Sequence, residues 1–320
     1  MSITETKPYV RPDVAALLAM MEHMGAKPMD ESTVEEARQL YLAMTPMADA
    51  PAEQLAIIRD LECPGPAGPI KLRLYDARQN RAAGPAMVFF HGGGFVIGDL
   101  DTHHNFCTTV AKQLDIPVIA VDYRLAPEHP FPAAPIDCEA AARWIASNGE
   151  ALGLNITGLF PCGDSAGGNL AIVTTHALMA APAAVPVLAQ FPIYPVTNSA
   201  ASGGSMDDFA EGYFLTAGSM AWFNGHYQQV PGDSRHDVHD LDHTGTPPTL
   251  VFTASLDPLS DQGRAYADAL DAAGVRVIHD EAEGNIHGFI CLRGGIPSSI
   301  DDVSRMIGHM RTLINEATET

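Results

Sequence analysis

A chain of 320 residues, 46% of them hydrophobic, can bury a large core, and open α/β sheets of this size commonly form a single unit. Its formal net charge of −21 disfavours binding to nucleic-acid phosphate or to an anionic membrane surface. No apolar run approaches the roughly eighteen residues of a membrane span, and the scattered cysteines (Cys63, Cys107, Cys138, Cys162 and Cys291) hold no C-x-x-C pair, which suits a reducing, cytoplasmic compartment.

Two helical stretches come first, Asp13 to Met24 and Ser32 to Met44, the second opened by Ser32-Thr33-Val34-Glu35 as a capping box. The apolar run Val14 to Met21 falls short of a secretory signal. Glu5 and Asp13 precede it, its apolar centre is short, and no small-residue cleavage site stands before Glu22 and His23. Leu55 to Arg59 is the first predicted strand. Ala86 to Phe90 predicts a buried strand that delivers His91-Gly92-Gly93-Gly94. Three consecutive glycines bring no side-chain chemistry, so their use lies in backbone N–H groups that a reacting carbonyl oxygen can approach closely, each worth roughly 10²–10³ in rate. Consecutive glycines are wrong for a dinucleotide site, which needs G-x-G-x-x-G.

Ile156 to Cys162 predicts a buried strand and Asn169 onward a helix, so Ser165 of Gly163-Asp164-Ser165-Ala166-Gly167 lies on the turn between them. That is the setting of a G-x-S-x-G nucleophile elbow. Alone, the pentapeptide would read as an ordinary glycine-rich turn; its neighbours decide otherwise. Pro248 to Ala254 predicts another strand with Asp257-Pro258-Leu259 just beyond it, then a helix from Asp261 to Ala272. Val275 to Ile278 forms a last strand, and the loop Gly284 to Phe289 supplies His287. The order Ser, Asp, His is the one this elbow requires. A cysteine nucleophile is the competing reading, but Cys162 falls inside a strand, where a thiol is inert.

These residue types suit acyl transfer. Ser165 is a poor nucleophile at its own pKa, so a neutral His287 must take its proton and later return it to the leaving alcohol. Asp257 would hold the imidazole in the right tautomer, and N–H groups of the glycine loop and of Ala166 would meet the oxyanion. The segment Arg235 to His243 repeats histidine and carboxylate, but His236, His239 and His243 would face one way only on a helix. Gly232 before it and Gly245 to Pro248 after it predict a solvated polar loop instead. No metal and no organic cofactor is expected.

Together, His91-Gly92-Gly93-Gly94, the run Asp122 to Pro132 (DYRLAPEHPFP), Gly163 to Leu170 (GDSAGGNL), Asp257-Pro258-Leu259 and Ile286-His287-Gly288-Phe289 resemble bacterial carboxylesterases of the hormone-sensitive lipase family. The blocks run in the family's order over most of the chain. The resemblance implies an α/β-hydrolase fold: a mostly parallel eight-stranded sheet flanked by helices, with a helical cap. It implies Ser165, Asp257 and His287 as the triad, and Gly93, Gly94 and Ala166 as oxyanion donors. His91 would shape the glycine loop with Gly92, and Asp164, Asp261 and Glu128 would support the site. Asn285 stands where a methionine is common and His104 where an aspartate is common, departures that touch substrate preference and leave the reaction class intact.

The same resemblance divides the chain into 1–50 and 196–230, the two parts of the cap, and 51–195 and 231–320, the two parts of the catalytic domain. Met20, Met21, Phe209, Tyr213, Phe214, Trp222 and Phe223 are candidates to line an acyl pocket, with plain core packing as the alternative. The expected substrate is a small-molecule ester, with acetyl to hexanoyl chains preferred. Amidase, thioesterase or deacetylase chemistry uses the same residues; a non-catalytic ligand-binding protein on this scaffold would have no need of a general base. A second copy of the chain, as a homodimer, is the one macromolecular partner left open. Only four basic residues are lysines (Lys7, Lys27, Lys71, Lys112), and this acidic, lysine-poor composition has two readings: salt tolerance, which activity in molar salt would test, and GC-rich coding.

Overall fold

The computed structural model describes residues 7–25 and 27–319. Residues 1–6, which hold Glu5 of the signal-peptide argument and the start of the predicted cap, lie outside the described residues, as do 26 and 320. Eight strands form one sheet: β1 (Ile57–Gly65), β2 (Gly68–Asp76), β3 (Gly84–Phe90), β4 (Val118–Asp122), β5 (Ile156–Asp164), β6 (Phe191–Ile193), β7 (Thr249–Leu256) and β8 (Val277–Ile286). Their order is β1-β2-β4-β3-β5-β6-β7-β8. β2 runs antiparallel to β1 and to β4, and the remaining pairings are parallel. This is the α/β-hydrolase architecture that the motifs imply.

A parallel sheet must be covered on both faces, and the period-two alternation of a strand sorts its side chains between them. In β3, Met87 and Phe89 join a core with Phe106 and Val110 of α3 (His104–Leu114) and with Met306 and Met310 of α10 (Ser299–Thr318). Ala86, Val88 and Phe90 go the other way, to Cys138 and Ala141 of α4 (Ala133–Ser147) and to Leu170 and Ala171 of α6 (Ala166–Ala180). Helix α5 (Gly149–Leu152) is a single turn before β5, and α9 (Ser260–Ala272) packs Tyr266 and Leu270 against Val251 of β7. The chain leaves β3 for β4 on one side and reaches β5 on the other. The crevice beyond the carboxyl ends of β3 and β5 is therefore a topological switch point, where open α/β sheets bind ligands.

Above that end lie α1 (Pro12–His23), α2 (Val34–Ala48) and the insert between β6 and β7, with α7 (Ser205–Asp208) and α8 (Ala217–Tyr227). The two parts are joined: the Trp222 indole donates to the Ser32 carbonyl at 3.2 Å, and Phe209, Tyr213 and Phe214 pack with Val14 and Leu17. Helix α2 is pinned to the sheet domain at both ends. Arg38 forks onto Glu128 at 2.7 and 2.8 Å and donates to the carbonyls of Val96 and Ala126, each at 2.9 Å. Glu128 thus tethers α2 to the loop after β4. Its carboxyl is held down at about 2, chiefly by the Arg38 hydrogen bond.

Three expectations need correction. The capping box is Thr33 with Glu36, one residue later than Ser32 with Glu35, because Ser32 instead closes the 3-10 turn Met29–Glu31. The last strand runs on to Ile286, so Gly284 and Asn285 sit in β8 and the predicted loop begins only at His287; the strand passes through a bulge, with Gly284 at φ 72°, before Ile286 pairs with Leu256 of β7. Met20 is 51% exposed on α1, outside the buried face of that helix, which Val14 and Leu17 set, so plain core packing does not account for it.

Candidate active site

His91, Ser165, Asp257 and His287 are each the first residue past the carboxyl end of a strand, after Phe90, Asp164, Leu256 and Ile286. The sheet register aligns these ends, pairing Phe90 with Gly163, Asp164 with Ile193, Ile193 with Phe252 and Leu256 with Ile286. Hydrogen bonding between strands thus gathers residues that are far apart in the chain.

Ser165 joins β5 directly to α6 with φ 56° and ψ −117°, a left-handed conformation that costs a non-glycine residue roughly 1–3 kcal/mol. The turn survives because its surroundings over-determine it. The Ser165 N–H donates to the Ile193 carbonyl at 2.9 Å, and a Cβ at Gly163 or Gly167 would strike the Phe90 carbonyl, so only glycine lets strand and helix pass this close. His287 Nε2 lies 2.9 Å from Ser165 Oγ, and its Nδ1 lies 2.7 Å from Asp257 Oδ2. A carboxylate only accepts, so Nδ1 carries the proton and Nε2 is free to take one from the serine. Asp257 is fully buried, and its other oxygen accepts from the Leu259 N–H at 2.8 Å. The Tyr194 ring packs 4.6 Å from the imidazole.

The glycine loop folds back on itself. The N–H groups of Val96 and Ile97 donate to the Gly93 carbonyl at 3.0 and 2.9 Å, with Gly93 at φ 114° and Gly94 at φ 58°. The N–H groups of Gly93, Gly94 and Ala166 have no acceptor among the described residues. His91 does not reach the reacting centre: it stacks on Tyr123 at 4.3 Å, and its Nδ1 donates to the Gly92 carbonyl at 2.7 Å. Burial, with His103 beside it, pushes His91 down to about 4, so it is neutral and serves as a fixed strut.

Asp164 binds loop to elbow. Its Oδ1 accepts from the Gly92 N–H at 2.8 Å and lies 3.1 Å from His103 Nε2. Burial works to raise this carboxyl, but the neighbouring His103 imidazole and the Gly92 N–H more than offset that and hold it below its usual value. Asp261 sits further out, accepting from the Ser205 N–H at 2.8 Å at the start of α7 and pairing with Arg264. Of these partners, sequence reasoning passed over His103 and Tyr194. The run Asp101-Thr102-His103 stood next to a residue it did weigh, His104, which meets Tyr75 at 3.3 Å, away from the triad. Asn285 is turned to α10, where its amide donates to Ser299 and Asp302, both at 2.9 Å, and so braces the strand that presents His287.

The Arg235 to His243 segment is a loop, as predicted, but it is not uniformly solvated. His236 is buried against Phe95 and Tyr227, and His243 against His176 and Tyr266, so the three histidines part company. Among the described residues no group of three His, Cys, Asp or Glu could hold a metal. All five cysteines are free and buried, and burial raises the Cys162 thiol well above its ordinary value, the reverse of what a nucleophile needs.

A family model described as the alpha/beta hydrolase fold matches residues 87–291, the span from the glycine strand to just past His287. The chain is 36% identical over 305 residues to an ethyl acetate hydrolase of Pseudomonas putida, covering 92% of this chain and 95% of that one. It is 33% identical over 326 residues to esterase LipI of Mycobacterium tuberculosis, covering 97% of each. Among solved structures it resembles an ester hydrolase from the metagenome of Lake Arreo, in complex with a bipyridine phosphonate derivative. The TM-score is 0.88 at 37% identity, covering 95% of this chain and 98% of that one.

Proposed function

The chain belongs to the α/β-hydrolase family, among the hormone-sensitive-lipase-like carboxylesterases, and we propose that it hydrolyses short- to medium-chain carboxylic esters through an acyl-enzyme on Ser165. The observation that carries this reading is the hydrogen-bonded series Asp257–His287–Ser165, at 2.7 and 2.9 Å. His287 Nε2 takes the Ser165 proton as Oγ bonds to the ester carbon, and the imidazolium so formed is stabilised by the buried Asp257. The carbonyl electron pair moves to oxygen, and the N–H groups of Gly93, Gly94 and Ala166 donate hydrogen bonds to the oxyanion so formed. Collapse expels the alcohol, protonated by His287. Water, deprotonated by the same nitrogen, then releases the carboxylic acid and restores Ser165.

Residues 196–230 and the described part of 1–50 act as the cap. Phe223 against Gly94 and Phe214 beside Gly288 support a pocket of modest depth, which favours short acyl chains. Five free cysteines support a reducing, cytoplasmic setting. The test is the hydrolysis of p-nitrophenyl esters from two to sixteen carbons, with and without a serine-directed organophosphate. Ser165→Ala lowers kcat by on the order of 10⁶ if the serine acts within a triad. An unaffected rate in Ser165→Ala, or a profile peaking at twelve carbons or more, refutes the assignment or its chain-length part respectively.

A further inference from the structure

The glycine loop is held from below by Asp164 and its neighbours; from above it is held by α8. The loop runs through three left-handed residues in a row, Gly93, Gly94 and Phe95, with φ of 114°, 58° and 63°. Glycine adopts this freely and phenylalanine does not, so an outside contact must keep Phe95 there. The Ala126 N–H donates to the Phe95 carbonyl at 2.9 Å and His236 packs at 5.6 Å, and the closest ring contact is Tyr227, which stacks on the Phe95 ring with centroids 3.9 Å apart and planes 6° from parallel. One turn earlier on the same helix face, Phe223 lies so close to Gly94 that a Cβ there would run into its ring. Tyr227 is itself braced. Phe131 meets its ring edge-on at 5.6 Å and donates its N–H to the Tyr227 carbonyl at 2.9 Å, and His236 packs beside it. The Tyr227 hydroxyl, though buried, has no hydrogen-bond partner among the described residues. The ring is therefore the working part of this side chain.

From this geometry we propose that Tyr227 is a positioning residue for the oxyanion donors: its stack on Phe95 fixes the left-handed turn that aims the Gly93 and Gly94 N–H groups at the developing oxyanion. The proposal rests on the acyl-enzyme reading above. An oxyanion donor acts mainly in the transition state, so a loosened loop loses rate while substrate binding is kept. The experiment compares Tyr227→Leu, which removes the stack, with Tyr227→Phe, which keeps it and discards only the unpartnered hydroxyl. The readouts are kcat and KM on p-nitrophenyl butyrate and the affinity for an aryl trifluoromethyl ketone, which adds to the serine and places an oxyanion in the hole.

Tyr227→Leu is expected to lower kcat by about 10- to 100-fold, part of the 10²–10³ that a donor supplies, with KM within about threefold and ketone affinity falling in step with kcat. Tyr227→Phe is expected to stay within about twofold of the parent in all three. Tyr227→Leu at parental kcat, a loss confined to KM, or Tyr227→Phe as impaired as Tyr227→Leu overturns the proposal. If Tyr227→Leu does not fold, Phe95→Leu against Phe95→Tyr reads the same stack from its other side, with the same expected contrast. Ser165→Ala separates the two readings. Full activity in it overturns the acyl-enzyme reading and this proposal with it, whereas an inactive Ser165→Ala beside an unimpaired Tyr227→Leu overturns the proposal alone.

Discussion

Asp49 and Arg293 form an ion pair across a sequence separation of 244 residues, and both are nearly inaccessible to water, at 6% and 3% exposure. Arg293 Nε and Nη2 fork onto the two Asp49 oxygens at 2.6 and 2.7 Å, and Nη1 donates to Thr109 at 2.8 Å. The pair fastens the end of α2 to the segment six positions past His287, next to the N–H groups of Gly294 and Gly295, which donate to the Ala48 carbonyl at 2.8 Å. Asp49→Ala leaves the guanidinium buried without its counter-charge, and breaking such a pair costs about 3–5 kcal/mol. With an unfolding entropy of roughly 2.1 cal/mol/K per residue, 320 residues give about 0.7 kcal/mol/K, so the midpoint should fall by about 4–7 °C. Because the cost comes from the orphaned charge more than from the lost attraction, Asp49→Leu combined with Arg293→Met should recover most of the loss. The assay is thermal unfolding of the parent, the single variant and the double variant by circular dichroism and calorimetry. A single variant within about 1 kcal/mol of the parent, or a double variant no better than the single, would refute the reasoning.

Phe223→Ala should open space over Gly94 and raise kcat/KM for decanoyl relative to butyryl p-nitrophenyl esters by about tenfold, since a methylene or two in a pocket is worth 1–3 kcal/mol; an unchanged chain-length profile would remove Phe223 from the pocket wall. Burial pushes His91, His176 and His236 down to about 4 from 6.5, helped at His91 by His103 and at His176 by His243. Between pH 6.5 and 4 the unfolded chain therefore takes up protons the folded chain does not, and stability falls with pH by up to about 1.4 kcal/mol per unit per histidine. Urea midpoints at pH 7, 6 and 5 should decline accordingly, with a shallower decline in His236→Leu; equal slopes in the two proteins would contradict the assignment.

The reaction was legible in the sequence because acyl transfer needs few residue types in a fixed order, and the backbone geometry of the elbow demands glycine where a Cβ would strike a carbonyl. Ser165 and Asp257 could be placed close to strand ends from apolar runs alone, since a buried parallel strand is apolar on both faces, whereas the polar second half of β8 hid the strand end that presents His287. Strands that break that rule were not legible. β2 interleaves Lys71 and Arg73 with its core residues near the sheet edge, and β6 is only three residues long. The capping box slipped by one residue because Ser32 and Thr33 are both good caps, and the choice fell to the turn before them.

Chemistry with a local signature, the elbow, the glycine loop and the order of the triad, was determined by the sequence on its own. Tertiary structure alone decided that Phe95 stacks on Tyr227, that Asp164 meets His103, and that Asp49 finds Arg293. These contacts join residues 61 to 244 positions apart, and they carry no local pattern because a stacked ring or a buried ion pair constrains its partner's position in space and leaves the separation along the chain free.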